Sequence, residues 1–211
     1  MTGRPVRLGV LFSGGGRTLE NLAKRIRGGT LAAEIAVSIS SRATAGGTDK
    51  ARRLEVPLKI IDYQARKDSF SEDITAALDE AQVDLVVLAG FLRLYRYPPR
   101  FEGRIMNIHP ALLPAFGGKG FYGDRVHEAV LEAGVKFSGC TVHFVNAEYD
   151  KGAIVLQRIV PVHPNDSVDK LAERVFAEEC VAYPEAIRLY AEGKLEVVDG
   201  RVRIREEAEQ P

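Results

Sequence analysis

The sequence has no tryptophan, two cysteines, two methionines and four histidines, and its charges cancel, with 29 Lys+Arg against 29 Asp+Glu. Each scarcity excludes something. Cys140 and Cys180 stand far apart with no C-x-x-C, so neither a disulfide framework nor a zinc ribbon is encoded, and a reducing, cytoplasmic setting is expected. The histidines follow no H-E-x-x-H or other ligand spacing, so no metal is expected. A chain without net charge has no electrostatic footprint for nucleic acid. Its short basic cluster, Lys50-Ala51-Arg52-Arg53, reads as a solvated helix face. No apolar run approaches the ~18 residues that cross a bilayer, and no signal-peptide pattern precedes the first strand-like segment. What remains is ordinary globular material: 211 residues, 45% hydrophobic and 27% charged, enough for one well-cored domain.

The first half alternates between two periodicities. Strand-like runs stand at Val6–Phe12, Glu34–Ser40, Leu58–Ile61 and Asp84–Ala89, the last apolar enough to be buried on both faces. Between them, Thr18–Arg27, Asp49–Leu54 and Ser71–Ala81 have helical spacing. The alternation predicts βαβ units and a mostly parallel sheet. In the second half, strands are expected at Arg104–His109, Ser138–Val145 and Ala153–Val162, and a helix at Arg125–Ala133. A long helix follows, capped by Asp166, running to about Glu192 and kinked or split at Tyr183-Pro184. Leu195–Ile204 reads as a hairpin with Asp199-Gly200 at its turn, and the charged tail after Arg205 as frayed. The whole reads as one domain with a mixed sheet.

Three segments carry candidate chemistry. Ser13-Gly14-Gly15-Gly16-Arg17-Thr18 joins the first strand to the first helix. Glycines admit close backbone approach and a helix start offers free N–H groups, so a phosphomonoester suits this loop, against the alternative of an ordinary strand–helix turn. The P-loop and dinucleotide patterns both fail, since no Lys-Ser/Thr follows and position 19 is Leu19. Asn107 and His109 alternate by two at a strand end and share a face, as an oxyanion donor and a general acid require. Asp150, before Lys151-Gly152, is by itself a common turn residue. His127 and His163 read as surface residues.

Together, VLFSGGGRTLENL, DLVVLAGFLRLY, MNIHPALLPAF, SGCTVHFVNAEYDKGAIVLQ and AEECVAYPEAI stand in the order found in phosphoribosylglycinamide formyltransferases, which the chain resembles over about residues 6–204. The resemblance implies a single-domain, Rossmann-like formyltransferase fold. Its twisted, mostly parallel sheet would carry helices on both faces and antiparallel strands in the C-terminal half. Residues 6–100 would form the phosphate-binding half and 101–204 the catalytic and folate-binding half. The family's reaction is formyl transfer from 10-formyltetrahydrofolate, as co-substrate and without a metal, to the amine of glycinamide ribonucleotide in purine synthesis.

By this resemblance Asn107, His109 and Asp150 are catalytic. Gly16, Arg17, Thr18 and Glu179 hold the ribonucleotide. Leu92, Arg93, Leu94 and Tyr95, with Asn107, Asn146, Ala147, Glu148 and Tyr149, surround the folate. A substrate-binding arginine of the family falls near Lys67 or Arg66, and Lys67 is counted with the folate residues. The phosphate loop departs from the usual Gly-Asn-Gly-Ser-Asn, and Phe116–Gly123 forms a longer loop than usual. Partners are expected to be small molecules only, with no nucleic acid and no membrane, and the protein a monomer or homodimer. Methionyl-tRNA formyltransferase and formyltetrahydrofolate hydrolase each carry a further domain for which this chain is expected to have no room. A formyltransferase acting on an amino-sugar nucleotide, or a non-catalytic phosphate- or folate-binding module, are the alternatives. Asp150 is expected to raise the His109 pKa above its reference of about 6.5.

Overall fold

A computed structural model describes residues 4–205. The tail expected to fray after Arg205 lies outside the described residues. β1 (Val6–Phe12), α1 (Arg17–Arg27), β2 (Ala33–Ser40), α2 (Gly46–Arg53), β3 (Leu58–Ile60), α3 (Phe70–Glu80) and β4 (Leu85–Leu88) alternate as the periodicity predicts. β5 (Ile105–His109), α4 (Asp124–Glu132), β6 (Phe137–Phe144), β7 (Ile154–Pro161), α5 (Val168–Ala191), β8 (Leu195–Val198) and β9 (Arg201–Ile204) complete the order.

Seven strands form one sheet in the order β3-β2-β1-β4-β5-β6-β7. The first five pair in parallel, and β6 and β7 run antiparallel. The hairpin β8–β9 forms a separate two-stranded sheet rather than joining the large one. Its turn is Asp199-Gly200, both at positive φ, which suits a two-residue hairpin loop.

Alternate residues of the strands feed two cores. Leu8, Val10 and Phe12 of β1 pack with Leu19 and Leu22 of α1, Ala51 of α2, Val130 of α4 and Leu171, Val175 and Ile187 of α5. Leu11, Val37, Ile39 and Val86 pack on the other face with Phe70, Ile74 and Leu78 of α3. Helices thus cover both faces, as a parallel sheet buried on both sides requires.

Two expectations about α5 are corrected. Its N-cap is Ser167, whose side chain accepts from the Lys170 N–H. Asp166 instead accepts from the His163 N–H at 2.8 Å and pairs with Arg174 at 2.7 Å. The helix also runs unbroken through Pro184 for 24 residues. Proline has no N–H for the carbonyl four residues earlier, Cys180. That oxygen is supplied from α1 instead, by Asn21 Nδ2 at 3.1 Å and Arg25 Nη2 at 3.2 Å. Tyr183, fully buried, donates to Leu88 O or Met106 O at 3.0 and 2.8 Å, which fixes α5 against the ends of β4 and β5.

The chain order of the parallel strands reverses between β1 and β4. In open α/β sheets the carboxyl ends of such strands form the crevice that takes ligands. The glycine loop leaves β1 there, the Gly90–Tyr95 strip leaves β4, and β5 ends beside them at His109.

Candidate active site

β5 presents Asn107 and His109 from one face at its end, and β6 pairs against it so that His143 lies directly opposite Asn107. Asp150 arrives from the β6–β7 loop with φ 56°, a left-handed conformation. The loop returns through Gly152, where an added Cβ would sit 1.8 Å from Phe144 O. Only glycine fits there, and that close return holds Asp150 over the ends of β5 and β6.

The four side chains form one cluster, with His109 and His143 buried and Asn107 and Asp150 partly so. Asp150 Oδ2 is 3.6 Å from His109 Nδ1, and Oδ1 is 3.5 Å from His143 Nε2 and from Asn107 Nδ2. Asn107 Nδ2 is 3.2 Å from His143 Nε2. The Gly118 N–H donates to Asp150 Oδ2 at 2.9 Å. His143 Nδ1 donates to Phe144 O at 2.8 Å, which turns Nε2 toward both the Asn107 amide and the Asp150 carboxylate. His109 Nε2 donates to Phe116 O at 2.8 Å. A second proton on His109 must then lie on Nδ1, facing Asp150. The 3.6 Å separation is longer than a direct hydrogen bond and leaves that proton available.

The electrostatics correct one expectation. Burial pulls the His109 pKa down, and it outweighs the upward effects of the Asp150 carboxylate and the Phe116 carbonyl, with His143 lowering it further. His109 therefore sits below the ordinary imidazole value, not above it. Burial also opposes the Asp150 charge. Even so, the hydrogen bond from His143, the Gly118 N–H and the nearby His109 hold that carboxyl below the usual range. The result is a fixed anion beside an imidazole that gains its second proton reluctantly.

This cluster forms the floor of a cavity of about 510 Å³, a size suited to a drug-sized ligand. Of the residues singled out from the sequence, Leu92, Arg93, Leu94, Tyr95, Asn107, His109, Asn146, Ala147, Glu148, Tyr149 and Asp150 all line it. His143 lines it as well and was missed. The two-residue alternation with Thr141 on one strand face was its only local signal. Lys67 is exposed and is not among the lining residues, and Arg66 pairs with Asp73 at 3.2 Å. His127 is not a surface residue either. It is 5% exposed on the inner face of α4 with Val126 and Val130, and its Nδ1 has no hydrogen-bond partner among the described residues.

Gly16, Arg17, Thr18 and Glu179 lie outside the cavity lining, where α1 meets α5. Gly16 caps α1 in the left-handed conformation at φ 68°, and no side chain caps the helix, so its first N–H groups face outward unclaimed by a cap. An added Cβ at Gly16 would come 2.6 Å from Gly47 Cα, so the start of α2 packs directly on the glycine loop. Arg17 pairs with Glu173 at 2.7 Å and lies 3.8 Å over the Phe176 ring. Burial pushes the Glu179 carboxyl up to about 7, against a downward pull from Arg17. Among the described residues no group of three His, Cys, Asp or Glu side chains is arranged to hold a metal ion. No described helix is long and apolar enough to cross a membrane.

Comparison with known proteins places the chain among formyl transferases. The formyl transferase family model matches residues 6–187. The chain is 42% identical over 196 residues to the trifunctional purine biosynthetic protein adenosine-3 of Gallus gallus, covering 91% of this chain and 19% of that protein. It is 36% identical over 197 residues to the phosphoribosylglycinamide formyltransferase of Haemophilus influenzae, covering 92% of this chain and 91% of that one. Glycinamide ribonucleotide transformylase 1 from Symbiobacterium toebii superposes with a TM-score of 0.91 at 45% identity, covering 97% of this chain and 96% of that chain. The chain spans about a fifth of the length of the trifunctional relatives it matches.

Proposed function

Because the chain belongs to the formyl transferase family, we propose that it transfers a formyl group from 10-formyltetrahydrofolate to the amine of glycinamide ribonucleotide, a step of purine synthesis. The observation that carries this reading is the Asn107–His109–Asp150–His143 cluster on the floor of the cavity. A pure binding module has no use for an imidazole held between a carboxylate and a carbonyl.

In this reading the folate occupies the cavity beside Leu92–Tyr95 and Asn146–Tyr149. The ribonucleotide phosphate takes the uncapped start of α1 at Gly16, Arg17 and Thr18, and Glu179 lies close by. The amine lone pair forms the new C–N bond as the formyl π pair moves onto oxygen. Asn107 and protonated His109 stabilise that oxyanion, a role worth about 10²–10³-fold for one donor. As the oxyanion collapses, the bond to N10 breaks and N10 takes the proton from His109. The surplus proton on the new amide nitrogen leaves through water and returns to His109, which restores the starting state. Asp150 holds the imidazolium while it exists.

The acceptor is tested by assaying 10-formyltetrahydrofolate with glycinamide ribonucleotide, an amino-sugar nucleotide and water. The ribonucleotide is expected to exceed the amino-sugar nucleotide by at least ~10³-fold in kcat/KM, since an acceptor whose phosphate is misplaced leaves the phosphate-binding groups of the site poorly paired. Equal rates on the two amines contradict the assignment, and dominant hydrolysis points to a deformylase.

A further inference from the structure

Ser13 is the last residue before the glycine loop, and it is 3% exposed. It grips the strip that leaves β4 at two points. Its N–H donates to Gly90 O at 3.0 Å, and its Oγ accepts the Leu92 N–H at 2.9 Å. The same Oγ accepts from Ser41 Oγ at 2.7 Å, and its carbonyl accepts Arg42 Nε at 2.7 Å. One residue further on, Gly14 O accepts the Gly47 N–H at 3.0 Å. Three segments therefore meet at Ser13: the glycine loop, the loop that follows β2 at Ser41 and Arg42, and the Gly90–Tyr95 strip.

The segments on either side of Ser13 are open. Added Cβ atoms at Gly14 and Gly15 would meet nothing within 4 Å, and Leu92 and Leu94 are 51% and 46% exposed. Each offers an open surface that a ligand would cover and fix. Because Ser13 holds both, ordering one segment removes part of the entropy that the second ligand must otherwise overcome.

We propose that Ser13 is a positioning residue that couples the glycine loop to the cavity strip, so that the two substrates bind cooperatively. This rests on the proposed function, which places one ligand at each segment. By thermodynamic reciprocity each ligand tightens the other by one factor.

The test is calorimetric titration of tetrahydrofolate, alone and with saturating glycinamide ribonucleotide. The unaltered protein is expected to show at least ~5-fold tighter binding with the second ligand present. Ser13→Ala strips Leu92 of its acceptor, and its ratio is expected to fall below about 2. Ser41→Ala removes the other hydroxyl of the same buried pair but leaves the Leu92 bond, and it is expected to keep the ratio. Where the alanine variant does not fold, Ser13→Cys, close in shape and a weak acceptor, is expected to lower the ratio at least about twofold. A ratio of one in the unaltered protein overturns the coupling while the function stands. So does an unchanged ratio in Ser13→Ala with both single affinities weakened, which marks a merely structural role. Failure of either compound to bind alone overturns the functional reading and the coupling with it.

Discussion

At the scale of single residues, several buried groups in and near the cavity have pKa values held away from their ordinary ones. His109 and Asp150 are both lowered, and Glu179 is raised to about 7. The signs separate their effects on stability. A lowered His109 binds its second proton less readily folded than unfolded, so its contribution is lost as pH falls below about 6.5. Asp150 acts in the same direction, at lower pH. Glu179 is the reverse. It binds its proton more tightly when folded, so its contribution is present below about 4.5 and lost as pH rises through 7. Glu179→Gln removes a charge that burial disfavours. It is expected to stabilise the protein at pH 8 by up to about 2 kcal/mol, partial exposure reducing the full shift, and to change little at pH 4. Thermal melts at the two pH values check this, and equal gains at both would mean that repacking rather than ionisation is responsible.

At the scale of elements, α5 shows how a local defect becomes a docking device. Pro184 leaves Cys180 O without its helical partner, and Asn21 and Arg25 of α1 supply the missing donors. The exchange ties the helix bearing Glu179 to the helix that follows the glycine loop. Asn21→Ala is expected to cost about 1 kcal/mol, because a partly buried carbonyl loses one of its two donors. In a Pro184→Ala background the helix can provide its own N–H, and the cost is expected to fall to under about half of that. A double-mutant cycle by chemical denaturation measures the difference, and additive losses would show that the two features are independent. The split expected at Tyr183-Pro184 does not occur for this reason: proline breaks a helix when its orphaned carbonyl has no other donor. Asp166 failed differently, because a stronger partner, Arg174, claims its carboxylate.

At the scale of the whole molecule, the topology assembles what no local pattern contains. The strand and helix periods were legible because each element is amphipathic or fully apolar over its own length. Asn107 and His109 were legible together because two positions apart on a strand means one face. His143 was not, since its place opposite Asn107 depends on β6 turning back antiparallel beside β5. Nor was the packing of Gly47 on Gly16, which joins two loops from different crossovers. His127 was misread because helical spacing alone did not say which face of α4 meets the sheet.

The central claim is that His109, held by Asp150, donates the proton that releases the folate nitrogen. It is tested most directly by the pH dependence of kcat, with NMR titration of the His109 ring, in the unaltered protein and in Asp150→Asn. The variant keeps size and hydrogen bonding but removes the charge that raises the His109 pKa. The account predicts a kcat loss of roughly 10²-fold or more at pH 7.5, nearly unchanged ribonucleotide binding, and an alkaline limb moved to lower pH with the His109 titration. An unchanged or higher His109 pKa, or a kcat that survives the substitution, would contradict it.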